Sequence, residues 1–137
     1  MRDVVINKIA TIKRCIARVH QEYTDEDSFK NNDTKQDSVI LNIQRACEAA
    51  IDVANHLIKE HQLGIPQSAR DSFELLAKGE IITGDIASKL KRMIGLRNIA
   101  VHDYQSLNLD ILIEVINSHL TDFDRYCAQL IAHVERE

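Results

Sequence analysis

Tryptophan is missing from this 137-residue chain, aromatic residues make up only 4% of it, and it has one proline and four glycines. Sandwiches and barrels rely on aromatic and β-branched strands punctuated by glycine and proline, so the shortage argues against an all-β fold. With 45% hydrophobic residues, the core has to be built from Ile, Leu, Val and Ala on long, seldom-interrupted helices. Positive charge is scarce as well. The 17 Lys and Arg face 21 Asp and Glu, for a net charge of −4. Any nucleic acid must therefore be met by a local patch. No apolar run approaches the ~18 residues of a membrane span, and nothing resembles a signal peptide. Cys15, Cys47 and Cys127 are odd in number, far apart and set at apolar helix positions. That pattern fits reduced, buried thiols in a cytoplasmic protein.

Several kinds of site are missing too. Gly79 and Gly84 flank a short apolar turn with no Lys-Ser/Thr after them, so there is no phosphate loop. His56, Glu60 and His61 do not match a zinc signature, and residues 56 and 61 diverge by about 140° on a helix. His20, His119 and His133 have no ligand-like neighbours in the sequence. No Ser or Cys lies in a nucleophile motif. Neither a metal nor a cofactor is expected.

What the sequence does have is helical periodicity, which predicts about five helices in one all-α, up-and-down bundle domain spanning residues 1–137. Val5, Ile9, Ile12, Ile16, Val19 and Tyr23 mark the first helix, and the polar stretch 24–33 reads as a loop. Asp33 or Thr34 can cap the second helix, which runs to about Gln62. Its apolar band is wide enough for burial on two sides, at the centre of a bundle or at a subunit interface. Gly64 stops it, Pro66 opens a short third helix, and Gly79 ends that one. Thr83 caps the fourth, which runs to about Val101; Gly95 in its interior suggests close approach by another backbone. Asn108 caps the last helix, whose four-three rhythm extends from Leu109 to Val134.

The fourth helix breaks its own rule. Its apolar row is Ile86, Leu90 and Met93, then position 97, then Ala100 and position 104. Position 97 is an arginine and 104 a tyrosine. A guanidinium stays charged and is seldom buried without a partner. The plain alternative is an Arg that snorkels beside a His at a frayed end. Residues 85–104 carry Lys89, Lys91, Arg92 and Arg97 against Asp85 and Asp103, a local charge of +2 against −6 for the remainder. A phosphate-bearing ligand would be drawn here and repelled elsewhere. Were that ligand RNA, it would carry its own nucleophile, the 2′-hydroxyl. An imidazole that titrates near neutrality can take that proton, and a guanidinium suits the charge-rich pentavalent phosphate that follows. His102 is the candidate base, Arg97 the candidate clamp, and Asn98 can orient either His102 or the substrate. Lys89, Lys91 and Arg92 form a candidate RNA-binding patch. The general acid stays open between water and a second His102.

The run Arg97-Asn98-x-x-x-His102-x-Tyr104, ending a helix in an all-helical chain, resembles the HEPN superfamily, and within it the HepT-like branch. Gly64-Ile65-Pro66, Phe73-Glu74-Leu75-Leu76 and Met93-x-Gly95-Leu96-Arg97-Asn98 extend the likeness over about residues 38–104. The resemblance implies a metal-independent endoribonuclease toxin that works as a homodimer, with two motifs facing across a cleft. It also implies a minimal nucleotidyltransferase antitoxin that silences the toxin by adding AMP to the motif tyrosine, here Tyr104. Two other readings stand beside it: a non-catalytic member of the fold that binds RNA or nucleotide, and a helical adaptor.

Overall fold

The computed structural model describes residues 2–103 and 107–137. These residues form α1 (Arg2–Glu22), α2 (Glu26–Lys30), α3 (Asp33–Glu60), α4 (Ala69–Lys78), α5 (Gly84–His102), α6 (Leu109–Ser118) and α7 (Thr121–Arg136), with no strand among them. The all-helical expectation holds. The helix count differs at two places. The polar stretch after Tyr23 contains α2, capped by Asp25, whose side chain accepts from Ser28 N. Phe29 anchors this short helix by burying its ring edge-on against Tyr23, with centroids 5.2 Å apart. The last predicted helix is two. At His119 and Leu120 the chain makes a tight turn held by Asp122 N–His119 O (3.1 Å) and Phe123 N–Leu120 O (3.1 Å). The apolar rhythm crosses the break unchanged, since Ile113, Ile116, Leu120, Phe123, Cys127, Leu130 and Val134 are all buried.

Helix ends also differ in detail. Asn32, not Asp33 or Thr34, caps α3 by accepting from Lys35 N. Ser68 caps α4, so that helix starts after Pro66 and not at it. Thr83 and Asn108 cap α5 and α6 as expected. The residues that close α3 and α4 with positive φ are Gln62 (φ 55°) and Glu80 (φ 61°), and Gly64 (φ 125°) follows two positions after Gln62. Gln62 and Glu80 each sit inside a six-to-one turn, closed by Leu63 N–Ile58 O and Ile81 N–Leu76 O, both 3.0 Å.

The wide apolar band of α3 is explained by a central position. Val39, Ala46, Cys47, Ala50, Val53 and Ala54 are all wholly buried, and α3 packs against α1, α2, α4 and α5. Small residues along this band let the neighbouring helices come close. Tyr126 of α7 reaches the same helix, donating its hydroxyl to Ala50 O at 2.9 Å. Its ring lies edge-on to Phe73 of α4. The start of α5 is pinned to α7 because Thr83 N donates to Gln129 Oε1 at 2.9 Å. This fixes the direction in which α5 carries its C-terminal end.

All three cysteines are free and buried, as expected. Burial pushes the Cys47 thiol up to about 12 and the Cys127 thiol up to about 11. In the unfolded chain both would ionise near 8.5. The folded state therefore holds protons that the unfolded state releases, and their contribution to stability is full below pH ~8.5 and lost as pH rises toward the folded values. Thermal melts between pH 8 and 11 should show a falling Tm, with a shallower fall in Cys47→Ala and Cys127→Ala relative to their own pH 8 values.

Candidate functional site

The functional end of α5 is built on the helix's own burial pattern. Ile86, Leu90 and Met93 point into the core, and Arg97 is the next member of that row. Its side chain is only 16% exposed, and its Nη1 lies 3.0 Å from Glu48 Oε1 of α3 as an ion pair. Ile40, Ile43 and Gln44 of α3, with Leu112 of α6, share the small space beside it. Its Nε is buried and has no hydrogen-bond partner among the described residues. The guanidinium is close enough to Cys47 to pull that thiol down, against the larger upward effect of burial. A charge so placed is tolerable only with a counter-charge, and Glu48 provides it while staying half exposed itself.

His102 is the last residue of α5 and is exposed. The helix closes behind it as Asp103 N donates to Ile99 O at 2.8 Å. Because α5 stays helical through His102, Arg97 and His102 point about 140° apart, while half-buried Asn98 lies one turn below His102. Within one chain, then, the arginine turns toward α3 and the histidine toward solvent. Tyr104 lies outside the described residues.

The three candidate patch cations are divided between two sides of α5. Lys91 bonds Glu74 of α4 and holds that carboxyl below its usual range. Lys89 lies 3.5 Å from Asp85 and 3.9 Å from the buried Asp122 of α7. Exposed Arg92 lies with Lys89 along a groove of about 770 Å³. This groove runs between α5 and the α6–α7 pair, floored by Met93, Leu96 and Val115. Ile99, at 43% exposure, and Ile111, at 56%, stand at its rim. Gly95 opens on it as well. A Cβ there would sit 2.8 Å from Arg70 Nη2 of α4. The glycine thus admits an arginine side chain, where the sequence had suggested a second backbone.

Two features of the site region had no signal in the sequence. Glu48 lies on another helix, and no spacing rule links it to Arg97. At the opposite, C-terminal end of α3, His61, read with His56 and Glu60 as missing a zinc signature, and His133, read as lacking ligand-like neighbours, meet with their Nε2 atoms 3.0 Å apart. Glu137 Oε1 lies 2.9 Å from each.

The chain matches the family described as ribonuclease HepT-like over residues 9–130. It is 61% identical over 126 residues to the mRNA nuclease HepT of Shewanella oneidensis, covering 92% of this chain and 95% of that protein. It is 26% identical over 92 residues to the tRNA nuclease HepT of Aphanizomenon flos-aquae, covering 67% and 63% respectively. Among solved structures, the tri-AMPylated Shewanella oneidensis HEPN toxin in complex with MNT antitoxin superposes with a TM-score of 0.92 at 59% identity. That match spans 96% of this chain and 99% of that one.

Removing the counter-charge of Arg97 tests this geometry directly. Glu48→Ala should destabilise the fold by about 1 kcal/mol, a modest value because Glu48 is half in water. A denaturant melt should show the loss, and Arg97→Ala combined with Glu48→Ala should cost less than the two single changes summed.

Proposed function

Since the chain belongs to the HepT-like family and is a ribonuclease toxin, we propose that Arg97 and His102 carry out its RNA cleavage by attack of the substrate's own 2′-hydroxyl. The observation that carries this reading is the placement of His102, exposed at the end of α5 and five residues beyond a guanidinium paired with Glu48. His102 removes the 2′-hydroxyl proton as the 2′-oxygen bonds to phosphorus. Arg97 balances the negative charge that builds on the phosphate oxygens. The bond to the 5′-oxygen then breaks, leaving a 2′,3′-cyclic phosphate, and the departing oxygen takes a proton from water or a second His102. Asn98, one turn from His102, orients the ring or the substrate. Arg92 and Lys89 guide the backbone along the groove edge, with Lys91 on the α4 side.

A homodimer supports this chemistry. Arg97 and His102 diverge within one chain, and a second copy supplies a second pair across a shared cleft. Ile99 and Ile111 are exposed apolar residues at 43% and 56% on the α5–α6 face, the kind of surface a second copy covers. We place the whole chain, as one domain, in the cytoplasm with its RNA substrate and a minimal nucleotidyltransferase antitoxin. That partner silences it by joining AMP to Tyr104. Each AMP brings about one negative charge and a bulky nucleoside into the space that RNA needs beside Arg97.

His102→Ala should abolish cleavage and growth inhibition while circular dichroism stays native, and wild-type cleavage should persist in excess EDTA with cyclic phosphate ends. Undiminished cleavage by the folded variant would remove His102 from the chemistry, and loss on chelation restored by a divalent ion would point to a metal mechanism.

Tyr104→Phe should remain a ribonuclease and remain toxic beside an active antitoxin, while intact-mass measurement of the wild type shows added AMP. A Phe variant silenced as fully as wild type would show that the switch lies elsewhere.

A further inference from the structure

The far end of the bundle holds a cluster that the cleavage chemistry does not use. His61 is the residue that closes the C-terminus of α3, and His133 and Glu137 lie one turn apart at the end of α7. Their donor atoms form a nearly equilateral triangle: His61 Nε2 to His133 Nε2 is 3.0 Å, and each nitrogen is 2.9 Å from Glu137 Oε1. The rings are inclined at 77° with centroids 4.8 Å apart, an edge-on approach rather than a stack.

Protons alone do not satisfy such a triangle. An ionised carboxylate brings none, and each imidazole nitrogen brings at most one, directed along a single edge. If both nitrogens donate to Glu137, their hydrogens crowd each other across the third edge. If one donates to the other, both nitrogen–oxygen edges are left with no proton. A cation at the focus of three lone pairs uses all three donors at once.

We propose that His61, His133 and Glu137 form a binding site for a divalent transition-metal ion of the zinc class. Two imidazoles and one carboxylate are an established donor set for Zn²⁺, which binds nitrogen at about 2.0–2.1 Å in tetrahedral geometry. That geometry places neighbouring donors about 3.3 Å apart, so the triangle has to open by only a few tenths of an ångström. The fourth position faces solvent, since the His61 and Glu137 side chains are 31% and 43% exposed. Glu60 Oε2, 3.8 Å from His61 Nε2, adds a second carboxylate at the rim and brings the local charge to one that a divalent ion balances. Oxygen-seeking Mg²⁺ and Ca²⁺ fit the two imidazoles poorly.

The site is a clasp, distinct from the cleavage site. It joins chain segments 72 residues apart and fastens the last turn of α7 to the end of α3. Residues 48 and 61 are 13 positions apart, so along α3 it lies about 20 Å from the glutamate that pairs with Arg97. Metal at the clasp and metal-independent cleavage are therefore separable by experiment.

The test uses the full chain without an affinity tag, stripped with EDTA and titrated with Co²⁺ and then Zn²⁺. The expected result is a visible cobalt absorption that saturates at one equivalent per chain, is bleached by Zn²⁺, and is accompanied by a rise in Tm of several degrees with zinc. His61→Gln and His133→Gln should abolish the band, and Glu137→Gln, a change at an exposed final residue that leaves the core untouched, should weaken Zn²⁺ binding at least tenfold. His119→Gln, outside the triangle, should bind as wild type. RNA cleavage in EDTA reads the other site separately. Absence of the cobalt band in the wild type, or a band of undiminished affinity in Glu137→Gln, would overturn the proposal.

Discussion

The structure depends on the burial of one long helix. The 28 residues of α3 run about 42 Å, and its apolar positions wrap far enough around to take α1, α2, α4 and α5. Alanines and Cys47 at the contact positions keep the neighbouring helices close. Tyr126 ties α7 to the same element through a hydrogen bond to Ala50 O. Because α3 is continuous and buried along a broad face, whatever it carries on its edge is held at a fixed height in the bundle. It carries Glu48 near its middle and His61 at its end, so one scaffold sets both polar sites.

At the middle, the constraint is electrostatic. The row of α5 that packs on α3 would be wholly apolar but for Arg97. The guanidinium is charged at every accessible pH, so its partial burial is costly unless a carboxylate faces it. Glu48 does so at 3.0 Å and keeps contact with water. A carboxylate that is still hydrated gives up part of its hold more readily than a dry one. The arrangement therefore holds an arginine in position without sealing it into a core ion pair, as the role proposed for it on the substrate phosphate requires.

Near the same end of α5 the charges sort by helical phase. Lys91 and Lys89 are two positions apart, about 200° around the helix, so one meets Glu74 of α4 and the other faces Asp122 of α7. Arg92 falls closer to Lys89 and shares its groove. The groove is apolar on its floor and carries both signs of charge at its edge, which suits contact with another protein surface as much as with a nucleic-acid backbone.

By itself, the sequence determined the fold class, the burial rows of the helices, the reduced state of the three cysteines and the stretch where Arg97 and His102 lie. Each of these is a local or periodic property, carried by spacing along one helix or by the shortage of aromatic, proline and glycine residues. The same local reading separated the run proposed to carry the chemistry from the other histidines by its motif. It did not find α2 inside a polar stretch, because a five-residue helix has no periodicity to detect and exists because Phe29 finds a pocket. Nor did it find the break at His119 and Leu120, because a tight turn that preserves the apolar phase leaves no mark on the pattern. Tertiary structure alone decided that Glu48 faces Arg97, that Arg70 crosses Gly95, and that His61, His133 and Glu137 converge. These partners lie on different helices. Their meeting depends on the angles and offsets at which helices pack, and packing is settled by the fit of whole surfaces rather than by any spacing within one segment.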